Sequence, residues 1–404
     1  MHWRRNLYAV TAASFIGFTG FTLVMPFLPL YFEQLGVTDV GDIALWSGLS
    51  LGVTPAITAF MAPLWGRLAD RYGRKIMVQR SLVSFVFVMA AMAYVTEPWH
   101  VFALRAVQGL FAGYGALTLT MAADSAPREE TAYAIGFVQT AQRLGPALGP
   151  VIGGVLAPLV GLRGSFIAAA VVYALAFLLV TVLYKEPPRA TPSAGATTGR
   201  VAFRNILAFE NFLLLMVVIF GLQLVDRSFG PILPLYLEQI GHAPDEVPVL
   251  AGVLFSVLAL TGAAGNQLAG WLLKRFTARV TIAVASIAGA LALAAFAFAV
   301  DPWLLAVSVG VVGLCVGLAL TVAFTAAGSV IPAEVHGSGF GFLTGASLIG
   351  VAVSPVLSGL VAARSIRVVF AAGVVVLIVL AFLVRRVMVE RNLAVEATPT
   401  VEES

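Results

Sequence analysis

The chain has 404 residues, 60% of them hydrophobic and only 11% charged. With a mean hydropathy of +0.97 it lies far from the roughly 45–50% apolar, roughly 25% charged composition of water-soluble domains, which excludes a soluble globular fold. The net charge of +4 resides in Lys and Arg beside apolar runs, so it reflects membrane topology and implies no nucleic-acid partner.

Twelve apolar runs, each near the roughly 20 residues that a spanning helix needs, are predicted at 8–34, 45–66, 76–96, 99–122, 133–158, 164–184, 209–237, 248–272, 280–300, 303–327, 336–361 and 366–388. They show no two-residue alternation and are rich in Gly, Ala, Leu and Val, which argues for an all-α integral membrane bundle rather than a barrel. The first run is too long for a signal peptide and has no small-residue cleavage site before Pro26, so it is expected to stay as the first helix. Eighteen Lys and Arg residues, Arg4, Arg5, Arg67 and Arg385 among them, fall on one side of the predicted membrane, against Arg163, Arg364 and Arg367 on the other. This places both termini in the cytoplasm. Cys315 is the only cysteine and the four histidines are scattered, so neither a metal site nor a cofactor is expected.

Pro-Phe-Leu-Pro-Leu-Tyr-Phe-Glu-Gln-Leu-Gly at 26–36 returns as Pro-Ile-Leu-Pro-Leu-Tyr-Leu-Glu-Gln-Ile-Gly at 231–241, an offset of 205 residues. Glu97-Pro98-Trp99 matches Asp301-Pro302-Trp303, Pro150 matches Pro355 and Gly154 matches Gly359. The repeat predicts two six-helix bundles, 1–184 and 209–388, joined by a cytoplasmic linker at 185–208 and followed by a disordered tail at 389–404.

Four features carry chemistry. Between the second and third runs lies a dense charged turn, Gly66-Arg67-Leu68-Ala69-Asp70-Arg71-Tyr72-Gly73-Arg74-Lys75. There Gly66 is expected to allow close helix approach, Gly73 a tight turn, and Asp70 to accept hydrogen bonds. Asp124 falls on the same side and is placed to pair with Arg74. Its repeat counterpart, 270–279, carries Lys274 in place of the acid and Thr277 in place of the second glycine. On the fourth run Arg105, Gly109, Gly113 and Ala116 are expected to form one stripe, with Arg105 facing a polar cavity or a partner, or snorkelling to the surface. On the fifth, Gly136, Gly145, Gly149, Pro150, Gly153 and Gly154 form a flat packing groove with a bend, either specialised or generic. On the seventh, Asp226 and Arg227 sit in mid-membrane, with Arg143 at comparable depth on the fifth. An acid among apolar residues is suited to bind and release protons, which makes Asp226 the best carrier candidate. A fixed ion pair with Arg143, Arg105 or Arg227 is the alternative. Glu33 and Glu238 follow the repeated Pro-x-Leu-Pro-Leu-Tyr segments and are read as gate or interface residues, with Glu33 a secondary proton candidate.

Over nearly its whole length the chain resembles the major facilitator superfamily, and within it the twelve-helix drug:proton antiporters. The resemblance rests on the 66–75 turn, the Arg105 to Gly113 segment and the Gly136 to Gly154 pattern. It implies a latch made by Gly66, Asp70, Arg71, Gly73, Arg74 and Asp124 that clamps the two halves when the outer side is open. It also implies a role for Arg105 in proton coupling, and an exporter motif at Gly136, Gly145, Gly149, Pro150 and Gly153. The expected function is proton-driven efflux of lipophilic or amphipathic compounds by a monomer in a bacterial inner membrane, with Phe21, Tyr31, Gln108, Phe137, Phe229 and Tyr236 as cavity candidates. A narrow natural substrate such as a sugar, siderophore or metabolite is the alternative. No Gly-x-x-x-x-Gly-Lys-Ser/Thr segment occurs to supply ATP binding, and no residue cluster suggests an enzyme.

Overall fold

A computed structural model describes residues 2–186, 211–331 and 336–389. Among them α1 (His2–Leu23), a 3-10 turn (Met25–Phe27) and α2 (Leu28–Gln34) make the first crossing. Then come α3 (Val40–Tyr72), α4 (Arg74–Met92), α5 (Pro98–Phe111), α6 (Tyr114–Ser125), α7 (Thr131–Leu183), α8 (Phe212–Gln239), α9 (Val247–Leu272), α10 (Ala278–Phe298), α11 (Pro302–Val330), α12 (His336–Ala362) and α13 (Ile366–Val387). The predicted linker from residue 187 onward, and the predicted tail beyond Val389, lie outside the described residues.

As one rod the 53 residues of α7 would reach about 80 Å, against a hydrocarbon core of about 30 Å. Gly161, at φ 74° and ψ 167°, breaks it. Arg163 beyond the break donates to the Val95 carbonyl at 3.2 Å. Lys75 donates to the carbonyls of Thr181 and Tyr184 at 3.0 and 2.7 Å. The chain therefore reverses at Gly161 and returns to the end of the bundle that carries Arg74 and Lys75, the basic end. Among the described residues eleven long apolar helices, one of them folded back, give the twelve crossings expected.

The repeats act as repeated structural devices. Asp301 caps α11 by accepting from the N–H groups of Trp303 and Leu304 at 2.9 and 3.1 Å, and Pro98 and Pro302 take first-turn positions where no N–H is needed. Gly36 and Gly241 end their helices at φ 93° and 100°, a region open to glycine. Tyr31 donates to the Met92 carbonyl at 2.5 Å, and Tyr236, 205 residues on, donates to the Ala297 carbonyl at 2.9 Å. Each hydroxyl satisfies a backbone group at the end of a neighbouring helix, and each ring packs on a buried Phe, Phe166 at 4.8 Å or Phe370 at 5.0 Å. Tyr31→Phe and Tyr236→Phe are each expected to cost about 1–2 kcal/mol by leaving a carbonyl unpaired. Thermal unfolding in detergent checks this, and the double variant should show the sum because the sites share no partner.

The two sets of six crossings meet at the end opposite the basic one, where α3 packs on α12 and α7 on α9. The contacts are backbone to backbone and occur in symmetric pairs. Gly48 lies on the Pro355 carbonyl and Gly252 on that of Pro150, while Gly154 lies on the Pro248 carbonyl and Gly359 on that of Ala44. Toward the basic end the faces part. A Cβ at Gly66, Gly136, Gly270, Gly341 or Gly345 would meet nothing within 4 Å, and Phe60 on α3 is 89% exposed.

Two local expectations are corrected. The 66–75 segment is not one charged turn: α3 continues through Tyr72 and only Gly73, at φ 106°, leaves the helix. The fourth crossing is not one continuous stripe either. It breaks between α5 and α6 at Gly113, φ 110°, which takes Ala116 out of line with Arg105. The freed carbonyls are satisfied from outside, Leu110 by the Trp65 indole N–H at 2.7 Å and Phe111 by Arg80 at 3.1 Å. The Arg80 guanidinium lies 3.4 Å over the Trp65 ring.

Candidate functional site

On the basic side of the Pro150–Gly252 contact lies an open cavity of about 280 Å³, lined by both sets of crossings. The first set supplies Thr22 and Met25 from the first crossing and Gln142, Arg143, Pro146 and Pro150 from α7. The second supplies Gln223, Asp226, Arg227 and Gly230 from α8, then stretches of α9 and α11 that include Phe255, Leu258, Asn266, Val316 and Leu320. The wall is mostly apolar, with three charged groups and three amides set into it. Charges at membrane depth face water-filled space or a partner, and these do both. Asp226 accepts from Arg227 Nε at 3.0 Å, while Arg143 has no salt bridge among the described residues. The amides are held in place: Gln142 donates to the Gly115 carbonyl at 2.9 Å, Gln223 to Ser347 Oγ at 2.8 Å, and Asn266 accepts from Thr321 Oγ1 at 2.9 Å.

Arg143 and Asp226 thus meet in one lining, whereas Arg105 and Glu33 are elsewhere. Arg105 is 2% exposed, so it neither snorkels nor faces this cavity. It donates to Gln108 Oε1 at 3.0 Å inside the first bundle, in electrostatic reach of Tyr173. Glu33 is exposed near Glu238, at the closed end.

None of the six predicted cavity residues is in this lining. Tyr31, Gln108, Phe229 and Tyr236 are fully buried, the two tyrosines by their carbonyl bonds and Phe229 against Phe296 and Phe370 at 5.5 and 5.8 Å. Phe137 packs between Tyr8 and Tyr133 at 6.0 and 5.9 Å. Phe21 is 38% exposed and lines no part of it.

At the basic end Arg74 forms an ion pair with Asp124 and a longer one with Asp70 at 3.9 Å. Asp70 is otherwise open, with its side chain 75% exposed, and Arg71 lies 5.3 Å from the Tyr72 ring. Gly66 makes no close helix approach here, since it faces open space. Glu186 was not anticipated. It accepts from the Arg74 N–H at 2.8 Å and ties the end of the sixth crossing to the turn. In the fifth crossing Gly145, Gly149 and Gly153 pack on the α1 backbone between Phe15 and Leu23, while Pro150 and Gly154 face α9. Gly136 touches neither.

A sequence profile described as Major Facilitator Superfamily matches residues 10–302 and 215–403. The chain belongs to the Major Facilitator Superfamily. Among similar proteins of this superfamily, the multidrug resistance protein MdtG of Dickeya zeae (strain Ech586) is 33% identical over 305 residues, covering 76% of this chain and 75% of the relative. A multi-drug resistance efflux pump PmrA homolog from Lactococcus lactis subsp. lactis is 30% identical over 270 residues, 67% of this chain and 66% of the relative. A solved structure of a bacterial homologue of the human lysosomal transporter Spinster, inward-facing and occupied, superposes with a TM-score of 0.79. It covers 95% of this chain and 96% of its own at 17% identity, which speaks for the fold alone. As a superfamily member the chain is a multi-pass membrane transporter of small molecules and not an enzyme. The cavity between its two sets of crossings stands where a major facilitator binds substrate, near the midplane of the repeat interface.

Proposed function

We propose that this chain exports lipophilic or amphipathic compounds in exchange for protons. The observation that carries the reading is the placing of Asp226, Arg143 and Arg227 in one mostly apolar cavity shared by both bundles. The names borne by the MdtG and PmrA relatives support multidrug substrates. With the basic end in the cytoplasm, the seal at Pro150–Gly252 and Gly48–Pro355 closes the outer side, and the conformation is inward-facing. The bundles 1–184 and 209–388 then rock about the cavity, and the chain works as a monomer in a bacterial inner membrane. Substrate leaves as Asp226 takes up a proton from outside and loses Arg227 as its partner. Arg74 holds Asp124 and Asp70 within the first bundle in this state, and the 66–75 turn engages the second bundle through the exposed Asp70 when the outer side opens. Arg105 tunes proton transfer from within the first bundle.

The test is discharge of a preformed pH gradient in everted vesicles. Addition of a transported compound should discharge the gradient at a rate that saturates with its concentration. The panel includes amphipathic anions beside cations, because Arg143 has no acidic partner among the described residues. No discharge across the panel by correctly folded protein would remove the proposal. The amides Gln142, Gln223 and Asn266 favour a second reading, a narrow hydrogen-bonding natural substrate. That reading predicts one compound that outcompetes the rest, with loss of its affinity alone on Asn266→Leu.

A further inference from the structure

The repeat counterpart of the latch turn, residues 270–279, has no part in the transport site. Its chemistry is inverted relative to the first copy. There Arg74 is neutralised by Asp124 and Asp70, and its backbone N–H donates to the Glu186 carboxylate. In the second copy Lys274, Arg275 and Arg279 are joined by Arg385 and Arg386 at the end of α13, and Arg279 donates to the Arg385 carbonyl. None of these five makes a salt bridge among the described residues, and the described acids of the second set of crossings, apart from Asp226, lie at the opposite end. The positive-inside tendency explains cations at this end. It does not explain why one copy carries carboxylate partners and the other has lost its acid to Lys274.

What lies beside the cluster identifies the ligand. Below it α10 presents Val284 and Leu291, 59% and 69% exposed, and α13 presents Val375 and Phe382, each 59% exposed: bare apolar faces on adjacent helices, directed at lipid. At the boundary Trp271, 51% exposed, lies 4.3 Å beneath Arg275, the amphipathic placement of an aromatic at the headgroup level. Adjacent apolar faces ending in cations that make no salt bridge among the described residues match one kind of molecule, with acyl chains along the faces and a negative headgroup at their end. We propose that the adjoining apolar faces of α10 and α13, where they reach the basic end, are a binding site for an anionic phospholipid, held by Lys274, Arg275, Arg279 and Arg385.

The test uses the full chain in vesicles, with Trp271 as reporter through the difference in quenching between wild type and Trp271→Phe. Brominated phosphatidylglycerol should quench Trp271 in preference to brominated phosphatidylcholine. Lys274→Gln with Arg279→Gln should lower that preference roughly tenfold or more, at about one kcal/mol for each cation near the surface. The charge-keeping pair Lys274→Arg with Arg279→Lys should retain it, which separates loss of charge from loss of fold. Equal quenching by the two lipids, or an unchanged preference in the neutralised variant, would overturn the site. Displacement of the lipid by inorganic phosphate at constant ionic strength would overturn the lipid assignment in favour of a free anion.

Discussion

Asp226→Asn is expected to abolish proton-driven accumulation while leaving exchange of substrate across the membrane intact. Among the described residues Asp226 is the only acid in the cavity lining, and its charge is balanced by Arg227 at 3.0 Å. Asn keeps the shape but fixes the neutral form, so the cavity stays in the state that the proposed proton would otherwise create and release. Each pH unit across the membrane supplies about 1.4 kcal/mol, or tenfold accumulation. A gradient of about two units should therefore concentrate substrate roughly a hundredfold in wild type and not at all in the variant. Equilibrium exchange in proteoliposomes, which needs no net proton movement, should persist and lose its pH dependence. If the variant still accumulates substrate, the proton is carried elsewhere, and Glu33 at the closed end becomes the next residue to neutralise. If exchange fails as well, the Asp226–Arg227 pair is structural, since neutralising Asp226 leaves the Arg227 charge at membrane depth without its partner.

The crossings were legible in the sequence because a span has a minimum length and an apolar composition, and the repeat because Tyr31 and Tyr236 close the same hydrogen bond in each half. The matched Pro150 and Pro355, and Gly154 and Gly359, are the residues through which the halves touch. A sequence echo here marks an interface that the pseudo-twofold axis uses twice. The cavity aromatics were not legible. Tyr31, Phe229 and Tyr236 have the composition of a drug pocket, yet their rings pin helix ends, and hydrophobicity alone does not separate a ring in a core from one on a cavity wall. What does line the cavity was readable through charge: Arg143, Asp226 and Arg227 had no other place to go in a bilayer. The break at Gly113 was hidden because its compensating groups, Trp65 and Arg80, come from two other helices.

Gly154→Ala with Gly359→Ala should open the end that is closed here. Ala is the better helix former by about 1 kcal/mol, so a loss of the closed state would not come from propensity. It would come from the added methyls, which are driven into the carbonyls of Pro248 and Ala44, backbone atoms that cannot rotate away. Overpacking of this kind costs about 1–3 kcal/mol per site, and the two sites sit on different helix pairs. Together they should shift the equilibrium by roughly two orders of magnitude or more. Spin labels on cysteines replacing Leu159 and Asp245, both exposed at that end, in a Cys315→Ala background, should report a longer distance in the double variant. Turnover should fall in parallel as the inward-facing state is depopulated. Gly345→Ala is the control, because its Cβ would meet nothing within 4 Å, and it should leave the label distance where it is in wild type. An unchanged distance in the double variant would mean that the helices separate slightly to admit the methyls, and that the glycine contacts do not set the closed state.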